Sequence, residues 1–150
     1  MNTDTREIES LIYRYAELLD AGEFAAVAEL FANATIAAAN GSETTGYDAV
    51  LAMYRSSTRI YPATGTPCTQ HVTSNVRVEM GDDGQTAQAW SKFTVFQALP
   101  DFPLQAIIAG HYRDSFTRCE DLWCFRRREM LTELYGDLSR HLLFDVSEIQ

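Results

Sequence analysis

The sequence predicts an α+β domain in which a curved, mostly antiparallel sheet wraps around N-terminal helices. Three observations predict it. Apolar residues recur at helical spacing in the first third of the chain, and long runs with strand-like patterning fill the part after Pro67. The turns between those runs are short, so helices segregate to one face of a sheet. With 150 residues the chain is expected to be one domain, spanning 1–150.

Residues 5–19 form the first expected helix. Ile8, Leu11, Ile12, Tyr15, Leu18 and Leu19 make one apolar stripe, Asp4 is placed to cap the start, and Gly22 ends it. Asp20 then sits in the last turn, where the helix dipole disfavours a carboxylate, in a row with Tyr13 and Ala16 beside the stripe. Residues 23–31 read as a shorter helix, 34–38 as a small-residue strand, 40–42 as a turn and 48–56 as a third helix. A Pro- and Gly-containing loop, 62–67, precedes the sheet. Strands are expected at 71–80, 85–99, 104–118 and 122–132, separated by Gly81–Gly84, Pro100–Pro103 and Glu120-Asp121. Residues 136–143 read as a short closing helix or a loop with a helical turn. Long strands joined by short turns curl, leaving a cavity between the concave face and the first helix.

The formal charge is −9, which argues against nucleic acid and anionic membranes as partners. No apolar run reaches the ~20 residues of a membrane span, and the first residues lack the basic and apolar regions of a signal peptide. Three cysteines, Cys68, Cys119 and Cys124, read as free thiols in a reducing cytoplasm. Cys68-x-x-His71 has half a zinc-site spacing without a second half, so no metal is expected.

The polar feature that calls for a partner is His71, at the mouth of a strand. Val72, Val76 and Val78 alternate with Thr73, Asn75, Arg77 and Glu79, and His71 shares its parity with Thr73 and Asn75. The expected partner is Asp20. A carboxylate beside an imidazole fixes its tautomer and makes it a general base; the bland alternative is a helix-end acid and a strand-mouth histidine that satisfy each other structurally.

Several stretches carry a resemblance. Tyr15-Ala16-Glu17-Leu18-Leu19-Asp20-Ala21-Gly22-Glu23 is similar to a Tyr-Ala…Asp-x-Gly-Asp helix end, with Glu23 in place of the usual aspartate. His71 to Asn75 matches His-x-x-x-Asn. Gly110-His111-Tyr112-Arg113-Asp114-Ser115-Phe116 looks like Gly-x-Tyr-x-Asp-x-Phe, and Trp123 to Arg128 looks like Trp-x-(apolar)-x-x-Arg. In this order they resemble the SnoaL-like branch of the cone-shaped superfamily that includes nuclear transport factor 2, scytalone dehydratase, ketosteroid isomerase and lindane dehydrochlorinase. The resemblance implies a cofactor-free lyase or isomerase. Asp20 and His71 would abstract a proton from a small hydrophobic substrate, aromatic, polyketide-like or terpenoid, held in an internal pocket, with dehydration or elimination the favoured outcome. Leu19 and Tyr112 depart from the scytalone dehydratase pattern, as does the absence of a second histidine near Phe96. These departures argue against scytalone itself as substrate.

Arg128 is expected to face the cavity and hold an anionic oxygen, against the alternative of a sheet-surface charge. Tyr112, Tyr54 and Tyr13 are candidate phenol donors or core aromatics, and Asn75 a candidate substrate contact on the His71 face. His111 is read as surface, and His141 as a structural partner of Asp137. The family also contains non-catalytic modules, such as the small subunit of ring-hydroxylating dioxygenases, and ligand binding or subunit assembly is the alternative function. An apolar convex face with contributions from Trp123 and Phe125 would make a homodimer or homotrimer.

Overall fold

The computed structural model describes residues 3–145. Helices α1 (Thr3–Asp20) and α2 (Phe24–Leu30) come first, then strands β1 (Thr35–Ala38) and β2 (Glu43–Thr45) and helix α3 (Tyr47–Ser57). Four long strands follow: β3 (Thr69–Met80), β4 (Thr86–Leu99), β5 (Phe102–Cys119) and β6 (Leu122–Tyr135). They form one sheet in the order β2-β1-β6-β5-β4-β3, with β1 parallel to β6 and every other pair antiparallel. The sheet is curved and not closed. The short strand β2, which the sequence analysis does not assign, pairs with β1 across the expected turn at 40–42.

The curvature comes from bulges. Register shifts occur between Ser74 and Arg77 on β3, between Val95 and Phe96 on β4, and at Ala109/Gly110 and Ser115/Phe116 on β5. An extra residue on one strand of a pair bends it and increases its twist. It also moves every later side chain to the opposite face. On β6 Arg126 and Glu133 have no partner, and the extra residue at 126 lets Trp123 and Phe125 before it and Arg128 after it all point inward. Gly110 sits where any Cβ would collide with the Leu131 carbonyl and the Phe93 ring. The strand crossing closes down to backbone contact there.

Helix α1 lies across β3 and β6. Its stripe of Ile8, Ile12, Tyr15 and Leu19 is buried, and Phe31, Phe125 and Phe116 continue the core with ring centroids 4.8 and 4.7 Å apart. Trp123 and Phe125 therefore belong to the interior, which corrects their expected place on a convex apolar face. Asp4 lies inside the first turn of α1, not at its cap. Its carboxylate accepts hydrogen bonds from Arg118 Nη2 (2.7 Å) and Trp123 Nε1 (3.2 Å).

The end of α1 fixes the site. Glu23 N–H donates to the Leu18 carbonyl and Gly22 N–H to that of Leu19, a Schellman arrangement that requires the left-handed φ of 74° at Gly22. A Cβ at Gly22 would also lie 2.6 Å from the Gly65 carbonyl. Only glycine both turns the chain and lets the 61–66 loop close against the helix end.

Residues 136–143 form a loop with a helical turn rather than a helix. Asp137 accepts from Ser139 N–H and Oγ, and His141 and Leu142 donate to the Leu138 carbonyl. The segment then pairs with the chain after α3 through Arg59 N–H to the His141 carbonyl (2.8 Å) and Leu143 N–H to that of Ser57 (3.0 Å). Buried Gln97 donates to the carbonyls of both Pro67 and Arg140, tying strand, loop and closing segment together.

Cys119 and Cys124 form a disulfide across the β5–β6 turn, where their Cα atoms are 6.1 Å apart. This corrects the expectation of three free thiols. The tight turn at Glu120-Asp121 brings the strand ends within bridging range, and Cys68 remains free. Among the described residues, no helix is long and apolar enough to cross a membrane.

Candidate active site

A cavity of about 370 Å³ opens between α1, α3, the inner face of the sheet and the closing segment. Its walls are mostly apolar: Leu19, Met53, Phe93, Val95, Ile108 and Leu138 contribute. A space of this size and character suits a small organic molecule.

His71 stands in the cavity wall, its side chain 10% exposed. Its Nδ1 lies 2.6 Å from Asp20 Oδ1, its backbone N–H donates to Asp20 Oδ2 at 2.7 Å, and Thr69 Oγ1 donates to Oδ1 at 2.9 Å. Three donors thus converge on a carboxylate at the C-terminal end of a helix, a place where the dipole opposes negative charge. The arrangement sets the tautomer. With Nδ1–H donated to the Asp20 carboxylate, the His71 Nε2 lone pair is left as the basic site.

Tyr54 and Tyr112 also line the cavity. The Tyr54 hydroxyl is hydrogen-bonded to that of Tyr15, which also reaches Met130 Sδ at 3.7 Å. Burial raises the Tyr54 and Tyr112 phenols well above their ordinary value, so both remain protonated donors at neutral pH.

The other expected contacts lie elsewhere. Arg128 is fully buried but is not a cavity residue. Its Nε and Nη2 donate to Asp114 Oδ1 and Oδ2, both at 2.8 Å, and its guanidinium lies 3.7 Å from the centre of the Tyr112 ring and 4.3 Å from that of Tyr15. The reason is the register: Asp114 and Arg128 face each other across β5 and β6, and a buried guanidinium must be neutralised where it stands. Burial works against the Arg128 charge, but Asp114 outweighs it and raises the guanidinium further above its ordinary value. Arg128 therefore supports Tyr112 from behind. Asn75 is exposed, with φ of 55°, because the bulge after Ser74 turns it off the inner face and brings Val76 and Val78 in. Tyr13 is 42% exposed on the outer side of α1, and Tyr15, on the apolar stripe, takes the interior place.

One cavity residue escaped the sequence reading as a candidate. His141 lines the wall along with His71. Its expected partner, Asp137, is occupied by Ser139. Burial, reinforced by His71 and opposed by Asp20, pushes the His141 ring down to about 4. The signal in the sequence was its setting between Leu138 and Leu142, an apolar pair that carries it inward. His111 is bound to Glu133 through Nδ1. Among the described residues, no group of three or more His, Cys, Asp or Glu side chains has the geometry of a metal site.

Helices packed on a curved, open, mostly antiparallel sheet around an internal cavity define the architecture. The chain belongs to the SnoaL-like domain family, whose model matches residues 2–129. Among solved structures it is similar to a nuclear transport factor 2-like protein with a cystatin-like fold from Novosphingobium aromaticivorans, with 25% identity over 91% of this chain and 86% of that one and a TM-score of 0.74. A scytalone dehydratase-like protein from the same organism matches with 24% identity, 89% and 86% coverage and a TM-score of 0.70. LinA matches with 17% identity, 90% and 89% coverage and a TM-score of 0.70. The latter two are likenesses of fold. No curated protein matches the chain.

Proposed function

We propose that the protein is an acid–base lyase or isomerase acting on a small hydrophobic molecule, with His71 as the base and Asp20 as its positioning carboxylate. The observation that carries this reading is the 2.6 Å Asp20–His71 contact in the wall of an apolar cavity of about 370 Å³. A binding or assembly module gains nothing from a titratable pair opening on its pocket, whereas proton abstraction requires one. His71 Nε2 takes a proton from carbon beside a carbonyl or a leaving group. The resulting imidazolium is stabilised by Asp20, and it returns the proton either to the departing group, completing an elimination, or to a different carbon, completing an isomerisation. The Tyr112 phenol is available to donate to an oxygen on the substrate.

The test uses 2-tetralone, a bicyclic ketone with acidic C–H bonds, and follows exchange of its α-protons into D2O by NMR. Wild-type protein is expected to accelerate exchange. His71→Gln is expected to slow the catalysed rate by about 10²–10⁴-fold, the usual worth of a positioned base. Equal rates for the two proteins would refute the assignment.

A further inference from the structure

The cavity has two histidines, and the reading above uses one. We propose that His141 is the second polar pole of the site: a neutral imidazole whose Nε2–H binds the oxygen of a ketone-type substrate while the adjacent C–H faces His71. This rests on the acid–base reading and names the substrate class for it.

The two rings are held differently. His71 donates Nδ1–H to Asp20, which leaves an acceptor for the cavity. His141 Nδ1 is buried with no hydrogen-bond partner. A buried N–H without an acceptor is the more costly state, because a lone pair tolerates under-satisfaction better than a donor does. The proton therefore belongs on Nε2, the ring nitrogen left for the cavity. One ring presents a lone pair and the other an N–H, so the pocket fits a ligand with an acidic hydrogen at one end and an acceptor oxygen at the other. The depressed affinity of His141 for a second proton keeps it in this neutral form.

Its position is built. The His141 carbonyl accepts from Arg59 N–H and its amide donates to the Leu138 carbonyl. On the preceding residue, the Arg140 carbonyl accepts from Gln97 Nε2 and from the Tyr61 hydroxyl, and the Arg140 guanidinium binds Asp101. The backbone on both sides of the ring is therefore tied to other parts of the fold. Such restraint is what a pre-placed donor needs, since it pays no reorganisation when charge develops. In the reaction, the C–H electron pair becomes the C=C bond of the enolate and the carbonyl π pair moves to oxygen. His71 Nε2 holds the proton, and His141 Nε2–H donates to the oxygen as its charge grows.

The experiment records long-range ¹H–¹⁵N histidine spectra of the ¹⁵N-labelled wild-type chain with 2-tetralone and with tetralin, the same bicycle without the oxygen. His141→Gln assigns the signals. The expected result is an Nε2–H tautomer for His141 whose proton moves downfield with 2-tetralone and stays put with tetralin. A complementary measurement compares 2-tetralone exchange in His141→Phe and His141→Gln. Phe, a ring without a donor, should lower kcat/KM about tenfold or more, and Gln, which keeps an N–H, should recover part of it. An Nδ1–H tautomer, or equal responses to ketone and hydrocarbon, would overturn the proposal, even if exchange still depends on His71. Conversely, exchange that ignores His71 while the His141 proton still responds to the ketone defeats the base assignment and leaves the donor role of His141 supported.

Discussion

Two of the acid–base pairs in this small fold, one at the cavity and one sealed in the core, differ in what surrounds them. Asp20–His71 and Asp114–Arg128 both have hydrogen-bond distances of 2.6–2.8 Å. The second pair is sealed, with both side chains 0% exposed, its acid and base clamped in a fork between aromatic rings. The first is joined through one ring nitrogen and the His71 backbone N–H, and it opens on the cavity through the ring. Arginine suits the sealed position because it stays charged and uses several donors at once. Histidine suits the open one because its second ring nitrogen offers a lone pair to the cavity. The proposed function rests on the combination of a titratable base with access to space, not on burial of charge alone.

The comparison breaks most visibly in activity. His71→Gln should cost about 10²–10⁴-fold in 2-tetralone exchange and, because Gln keeps a donor for Asp20, change stability by less than about 1 kcal/mol in urea unfolding. Arg128→Met should do the reverse in kind, costing about 3–5 kcal/mol by leaving Asp114 buried and unpaired. Replacing both partners with apolar residues (Arg128→Met with Asp114→Leu) should recover much of that loss, since the cost lies in the orphaned charge. A urea series on the single and double variants decides this.

A third effect is a pH dependence. His141 sits at about 4 in the folded chain against an ordinary 6.5. Between these values the unfolded chain takes up a proton that the folded chain does not. The neutral ring's contribution is therefore complete above about pH 6.5 and is lost as the pH falls toward 4, by on the order of 3 kcal/mol. His141→Gln should flatten that part of the stability profile between pH 7 and pH 4.5. A profile identical to wild type would show that other groups set it.

The smallest expected effect is at Gly22. Gly22→Ala should cost about 2 kcal/mol, from left-handed strain and from the clash with Gly65. It should also slow exchange, because the same turn positions Asp20. Loss of stability without loss of exchange would separate the helix end from the chemistry.

Much of this was legible in the sequence. The helical stripe of α1, the turn at Ala21-Gly22 and the long alternating strands predicted the layers, and an acid at an unfavourable helix end with a histidine at a strand mouth predicted their contact. What failed was parity. An unbroken period of two puts Asn75 on the His71 face, but the bulge on β3 shifts the count and no glycine or proline marks it, while Arg128 points inward as expected and is taken up by Asp114 across the β5–β6 register. Tyr13 was assigned inward although the apolar stripe runs through Tyr15. His141 was misread because a helical turn was extended to a helix face, whereas Asp137 spends its carboxylate on a local turn. The Cys119–Cys124 bridge depends on how tightly the β5–β6 hairpin closes, which count and compartment arguments do not address.

The central claim is that the open pair performs chemistry and the sealed pair holds structure. It is tested most directly by measuring the urea midpoint and the 2-tetralone exchange rate on one preparation of His71→Gln. The account predicts a midpoint close to wild type and exchange slowed by at least about a hundredfold. A variant that exchanges at the wild-type rate, or that unfolds as readily as Arg128→Met, would contradict it.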